Sequence, residues 1–172
     1  TLTSALIEEK RRGEVDSLTG AYCRAAMDEH VANLCQMAQV VNPNSVAFVI
    51  DVDHFKWVND KFGHSSGDDV LKGVAARLRQ VFRRKGDFVA RYGGDEFVVV
   101  LEDVELDVAE EMGEKCLEEI RALEQVRDGE SIRVTLSIGI AALRQGESAR
   151  DWFDRADQAL YASKEAGRDH ST

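Results

Sequence analysis

A chain of 172 residues with 44% hydrophobic content and a single proline is long enough to bury the core of one compact domain. Its 32 acidic against 22 basic residues leave a net charge of −10, which argues against binding nucleic acid through the phosphate backbone. Three cysteines without C-x-x-C spacing argue against a disulfide framework and a zinc site, and no apolar run reaches the roughly 20 residues of a membrane span.

Residues 1–15 set Leu2, Leu6 and Ile7 among mixed charges and predict the end of a linking helix from an upstream domain, too short to fold alone. Asp16-Ser17-Leu18-Thr19-Gly20 breaks it with capping residues and opens a domain over 16–172. Tyr22, Ala26, Leu34, Met37 and Ala38 recur at helical spacing over 21–40, and Asn42-Pro43-Asn44-Ser45 ends that helix. Val46 to Ile50 is an unbroken apolar run, which predicts a central strand covered on both faces, and it ends in Asp51-Val52-Asp53. After a loop rich in Asn, Gly and Ser, Val70, Leu71, Val74, Ala75, Leu78, Val81 and Phe82 predict an amphipathic helix over 67–84.

Two β-rich runs, Phe88 to Ala90 and Phe97 to Leu101, flank Gly93-Gly94 and predict a hairpin, because glycine accepts the positive φ of a tight turn. Ala109, Met112, Cys116, Leu117, Ile120 and Leu123 mark another helix, and Asp128-Gly129 a turn. Ile132, Val134, Leu136, Ile138 and Ile140 alternate with Arg133, Thr135, Ser137 and Gly139, which predicts a half-buried strand with one wet face. Ser148 is placed to cap a last helix bearing Trp152, Phe153, Ala156, Ala159 and Leu160. This order predicts an α+β fold, with helices flanking a mainly antiparallel central sheet.

Two carboxylates at a hairpin tip, Asp95 and Glu96, are in general a solvated turn. Asp51 and Asp53 share a strand face, and a lone D-x-D is more often a strand-end cap than a ligand pair. A carboxylate at the end of a buried strand is nevertheless costly unless something compensates it. Mg²⁺ takes a few carboxylates plus substrate phosphate oxygens, so Asp51 and a hairpin carboxylate are candidates to share an ion. Such an ion lets an acidic protein bind a nucleotide.

Arg91-Tyr92-Gly93-Gly94-Asp95-Glu96-Phe97 resembles the signature of the GGDEF family of diguanylate cyclases. Asp16-Ser17-Leu18-Thr19 is similar to the D-x-L-T that opens such domains; Ala21 and Cys23 stand where Leu and Asn are common, and Arg24 is kept. Asp51 to Asp68 resembles D-x-D-x-F-K-x-x-N-D-x-x-G-H-x-x-G-D. Near the end, Ala156 to Asp169 resembles A-D-x-A-L-Y-x-A-K-x-x-G-R-N, with Ser163 replacing Ala and Asp169 replacing Asn.

The resemblance implies a fold like the palm of polymerases and class III nucleotide cyclases, with a further short strand beginning about where this chain stops. It implies that two GTP are condensed into cyclic di-GMP with release of two pyrophosphates. Asp51 and Asp95 are then metal ligands with the Val52 carbonyl, for Mg²⁺ or alternatively Mn²⁺. Glu96 is either a ligand of a second ion or the group that deprotonates the attacking hydroxyl, and Asp53 is structural. The amides of His54, Phe55 and Lys56 are expected to hold the triphosphate, a task that suits a helix start. Asn59 and Asp68 correspond to the guanine readers; taken singly, each reads as a loop cap. Lys164 and Arg168 match phosphate-contacting residues, although cations at a helix C-terminus also complement its dipole. His64 is expected to order its loop rather than act as a base, and Trp57 to pack.

Arg84-Lys85-Gly86-Asp87 reads by itself as a basic helix end and resembles the family's inhibitory product site, R-x-x-D. Lys115 falls near where a supporting arginine often sits. The implied partners are GTP, cyclic di-GMP, a second copy needed for catalysis and an upstream sensor domain, with no nucleic acid and no membrane contact by this segment. The expected location is cytoplasmic, with an anchor through other segments of a longer protein left open. A domain that only binds cyclic di-GMP or GTP is the alternative, and a dimerisation module a third reading.

Overall fold

The computed structural model describes residues 2–3, 5–6 and 13–172. Much of the linking helix expected over 1–15, Ile7 included, lies outside the described residues. From Arg24 onward, five helices and seven strands run in the order α1 (Arg24–Met37), β1 (Ser45–Val52), α2 (Phe55–Phe62), α3 (His64–Val81), β2 (Phe88–Gly93), β3 (Glu96–Glu102), α4 (Leu106–Arg121), β4 (Gln125–Arg127), β5 (Glu130–Ile132), β6 (Leu136–Ala142), α5 (Ala149–Glu165) and β7 (His170–Ser171). The main sheet has the order β2-β3-β1-β6-β7 and is antiparallel except for the β6–β7 pair. An α+β domain with a mainly antiparallel sheet is thus what the chain forms. No helix among the described residues is long and apolar enough to cross a membrane.

The apolar run of β1 is buried on both sides because it lies between two layers. Val46, Phe48, Ile50 and Val52 point into a core shared with α2, α3 and α4, and Ala47 and Val49 into a core shared with α1 and α5. Phe48 and Trp152 are fully buried, one in each core, and truncating either to alanine would cost about 3–5 kcal/mol. The Trp152 indole N–H donates to the Ala141 carbonyl at 2.8 Å, which fixes α5 against β6. Ser148 caps α5 as expected, its hydroxyl accepting from the Asp151 N–H at 3.1 Å.

Three local expectations are corrected. The stretch after Asp53 is no loop but two helices, α2 and α3, hinged at Gly63 with φ 89°. Phe55 and Val58 lie a turn apart and are buried, which is the short apolar stripe that makes α2 dock. The alternating run 132–140 is split into β5 and β6, and β6 has no wet face. Ser137 is buried because its hydroxyl bonds Asp53, and Gly139 because α5 lies against it, where a Cβ would meet the Ala156 carbonyl at 2.1 Å. Finally, the chain does include the closing strand, as the two residues of β7.

Candidate active site

The β1–β3 register opposes Asp51 and Glu96, so both side chains leave the sheet on the face covered by α1 and α5. Between β2 and β3 the chain reverses through Gly93 and Gly94, and Gly94 takes φ 45°. Arg91 holds this turn: its Nε and Nη2 donate to the Gly94 carbonyl at 3.1 and 2.9 Å. Its Nη1 reaches Asp16 at 3.4 Å. Asp16 also accepts from the Thr19 N–H at 2.9 Å and hydroxyl at 2.7 Å. Burial pushes its carboxyl up, but the bonds from Thr19 and Arg91 outweigh that and hold it below the usual range. The Val52 N–H donates to the Asp95 carbonyl at 3.1 Å, tying the end of β1 to the turn.

This leaves acidic side chains crowded at one end of the sheet. Burial raises the Asp95 carboxyl above its ordinary range, and the neighbouring Asp51 raises it further. Glu96 is raised by burial and then by the negative charges of Asp157, on α5, and Asp51. Asp157 is itself raised by burial and by Asp154. The Lys164 ammonium, also on α5, bonds Asp51 and is the cation that lowers Asp95 in part. Glu96 and Asp157 line a cavity of about 330 Å³ with Arg24, Tyr92 and Arg150. There the Tyr92 hydroxyl bonds Asp28, and the Arg24 guanidinium lies 4.8 Å over the Tyr92 ring. Burial, then the bond to Asp28, pushes the Tyr92 phenol up.

The donor set fits a hard cation that still needs its substrate. Among the described residues no group of three His, Cys, Asp or Glu side chains is gathered to hold an ion alone. Asp51 lies close enough to Asp95 to raise its carboxyl, and Mg²⁺ characteristically takes one or two carboxylates and completes its shell with phosphate oxygens.

Asp53 behaves differently. It is 5% exposed and accepts from the Thr135 hydroxyl at 2.7 Å, the Ser137 hydroxyl at 2.7 Å and the Asp169 N–H at 3.0 Å. All three donors come from its own chain, the surroundings of a carboxylate that holds β1, β6 and the C-terminal turn together. His54, next in sequence, has φ 55° and precedes α2 with no side-chain cap, so the first N–H groups of Phe55 and Lys56 begin a helix beside the acidic end. Asn59 on α2 packs onto Gly67 on α3: a Cβ at Gly67 would lie 1.9 Å from the Asn59 Oδ1. Asn59 therefore lies against the residue that precedes Asp68 on α3. His64 is exposed at the start of α3. Trp57 is 52% exposed, its ring edge against Phe62 and Lys61 above it, so it packs on one side only.

The Arg84–Asp87 pair is closed on itself. Asp87 accepts from the Arg84 N–H and Nη2, both at 3.0 Å, and Nη2 also donates to the Glu102 carbonyl at 3.1 Å. The pair borders a cleft of about 690 Å³, also lined by Tyr22, Arg79 and Arg83. Lys115 is exposed on α4 and is not part of that lining. Arg77 pairs with Glu119 across α3 and α4, which sets Lys115, one turn earlier, toward the C-terminal end of α3 that leads to Arg84.

The family described as "Diguanylate cyclase, GGDEF domain" matches residues 14–170. The chain belongs to the GGDEF family. It is 40% identical over 166 residues to diguanylate cyclase DgcP of Pseudomonas aeruginosa, covering 96% of this chain and 25% of that protein. It is 33% identical over 170 residues to diguanylate cyclase VdcA of Vibrio cholerae, covering 97% of this chain and 49% of that one. The chain therefore spans a quarter to a half of the length of these curated relatives. Among solved structures, the coiled coil and GGDEF domain of DgcB from Caulobacter crescentus, in complex with c-di-GMP, aligns with TM-score 0.92 at 33% identity, over 99% of this chain and 91% of that one. Diguanylate cyclase SiaD from Pseudomonas aeruginosa, in complex with its activator SiaC, aligns with TM-score 0.92 at 32% identity, over 99% and 65%.

Some residues of this GGDEF domain escaped the sequence reading. Asp157 carried a signal, since Asp157 and Lys164 are seven residues apart and so share a helical face. Thr135 and Ser137 alternate along the strand and share a face, but nothing local ties them to Asp53. The Asp16–Arg91 contact joins residues 75 apart in sequence, and no spacing rule reaches that far.

Proposed function

We propose that this domain condenses two GTP molecules into cyclic di-GMP, releasing two pyrophosphates. The observation that carries the reading is the meeting of Asp51 with Asp95 and Glu96 at the end of β1, next to Lys164 and the start of α2. Asp51, Asp95 and the Val52 carbonyl would hold a divalent cation, Mg²⁺ or Mn²⁺, which when bound offsets phosphate charge and acidifies a hydroxyl. The N–H groups of His54, Phe55 and Lys56 bind the triphosphate, with Lys164 and Arg168 neutralising it from the other side. Asn59 and Asp68 read guanine, where a carboxylate accepts from N1–H and the 2-amino group. Glu96 receives the proton of the attacking 3′-hydroxyl or supports a second ion; a raised carboxyl is a stronger proton acceptor than an ordinary one.

One domain supplies one GTP and half of the reacting geometry, so turnover requires two copies face to face. An upstream domain sets how often they meet. Incubating the protein with GTP and Mg²⁺ and separating products by chromatography tests the reading: cyclic di-GMP and pyrophosphate are expected. Tight binding of cyclic di-GMP without turnover would instead favour a receptor domain.

Feedback is the second part of the proposal. Cyclic di-GMP is held at Arg84 and Asp87, whose mutual contact opens so that Arg84 meets a phosphate or guanine edge and Asp87 accepts from guanine. Bound there, it fixes the hairpin or cross-links two domains with their GTP sites apart. The double change Arg84→Ala and Asp87→Ala keeps catalysis and loses inhibition by added product. Inhibition at the wild-type product concentration would reduce R-x-x-D to a helix end.

A further inference from the structure

Past α5 the chain takes a path that few L-residues adopt. Gly167, Arg168 and Asp169 have φ of 108°, 65° and 45° in succession. Two consecutive non-glycine residues in the left-handed region persist only where their surroundings fix them. Here the fixing contacts are visible. The Arg168 N–H donates to the Ser163 carbonyl at 3.1 Å, and the Asp169 N–H to Asp53 at 3.0 Å. The Arg121 Nε, at the end of α4, donates to both oxygens of the Asp169 carboxylate, at 2.9 and 2.8 Å, and Nη2 approaches the Asp169 carbonyl at 3.4 Å. Arg121 is steadied in turn by Arg133, whose Nη1 donates to the Arg121 carbonyl at 3.2 Å.

Asp169 is the position where the family pattern has Asn, and the charge that this acid adds is met by Arg121. Its carboxylate is therefore committed to α4. The Arg168 side chain, by contrast, is exposed and has no ion-pair partner among the described residues. An ion pair as open to water as Arg121–Asp169, at 43% and 35% exposure, contributes little to global stability. What it does fix is the direction in which Arg168 leaves the backbone.

We propose that Arg121 and Asp169 are positioning residues of the triphosphate site, holding the left-handed turn that aims the Arg168 guanidinium at the phosphates. The inference rests on the reading of Arg168 as a phosphate contact. It is tested by calorimetry with Mg²⁺ and α,β-methylene-GTP, which cannot lose pyrophosphate, and separately with guanosine. The proteins are wild type, Arg168→Ala, Arg121→Ala and the double variant, with Asp169→Asn as a milder change that keeps the backbone donor. Arg168→Ala and Arg121→Ala should each weaken the triphosphate about tenfold, the scale of one charge-assisted hydrogen bond. The double variant should lose little more than Arg168→Ala alone, because both changes remove the same contact. Guanosine binding should not change, and Asp169→Asn should give a smaller loss in the same direction. If Arg168→Ala weakens the triphosphate and Arg121→Ala does not, or if their losses add, the positioning role is wrong. Equal loss for guanosine and triphosphate in Arg121→Ala would also overturn it, since a general loosening of the domain would do that. If Arg168→Ala binds as wild type, the reading of Arg168 falls first and the inference with it.

Discussion

Asp51 and Asp53 are two residues apart at the end of one strand, and the protein treats them in opposite ways. Asp53 receives three donors from its own chain, Thr135, Ser137 and the Asp169 N–H, and is sealed from solvent. Asp51 receives one cation, Lys164, and faces Asp95 and Glu96, whose carboxyls are raised by burial and by one another's neighbours. A fold that satisfies one carboxylate completely and crowds the other is not short of donors. On the proposed reading it withholds them where a ligand is to supply the compensation, at the cost of local instability until the ligand arrives.

The comparison breaks most sharply on Asp51→Asn. Strand geometry tolerates the amide, so the fold should survive with an unchanged far-ultraviolet spectrum. Turnover of GTP should fall at least about a hundredfold through loss of a charged ligand. Product formation near the wild-type rate would make Asp51 a strand-end cap like its neighbour.

Asp53→Ala should do the reverse. It leaves two hydroxyls and a backbone N–H without their acceptor, at a cost of about 2–4 kcal/mol in unfolding free energy. Denaturant unfolding at neutral pH measures that loss. A variant as stable as wild type would show that water replaces the carboxylate and that Asp53 is no keystone.

The smallest effect expected is of opposite sign. In metal-free protein Asp95→Asn removes one of the mutually repelling charges, so stability should rise by about 0.5–1 kcal/mol while activity is lost. Added Mg²⁺ and nucleotide should then stabilise wild type more than the variant. A variant less stable than wild type without metal would mean that the crowding at Asp95 is relieved by contacts other than a ligand.

How much of this could be read from residue order depended on the range over which the residues interact. The hairpin, the central strand and the α5 cap were legible because each depends on neighbours within a few positions: Gly94 for the turn, Val46 to Ile50 for burial, Ser148 for the cap. The packing of Asn59 on α3 was legible only as a motif, because what lets it in is the missing side chain of Gly67. The burial of β6 was misread because Ser137 and Gly139 look like a wet face. One bonds the Asp53 carboxylate just past β1 and the other makes room for a helix. The Arg121–Asp169 pair spans 48 positions and the Asp16–Arg91 contact 75, and neither leaves a local trace.

If Asp51 and Asp95, with Lys164 as their one cation, await a metal ion delivered with nucleotide, both should be needed to bind it. Mn²⁺ binding followed by electron paramagnetic resonance, with α,β-methylene-GTP present, tests it directly. Wild type should bind Mn²⁺ more tightly than nucleotide alone does, and Asp51→Asn or Asp95→Asn should each weaken that binding by more than about a hundredfold, beyond what loss of a mere supporting partner gives. Mn²⁺ affinity unchanged in both variants would contradict the account.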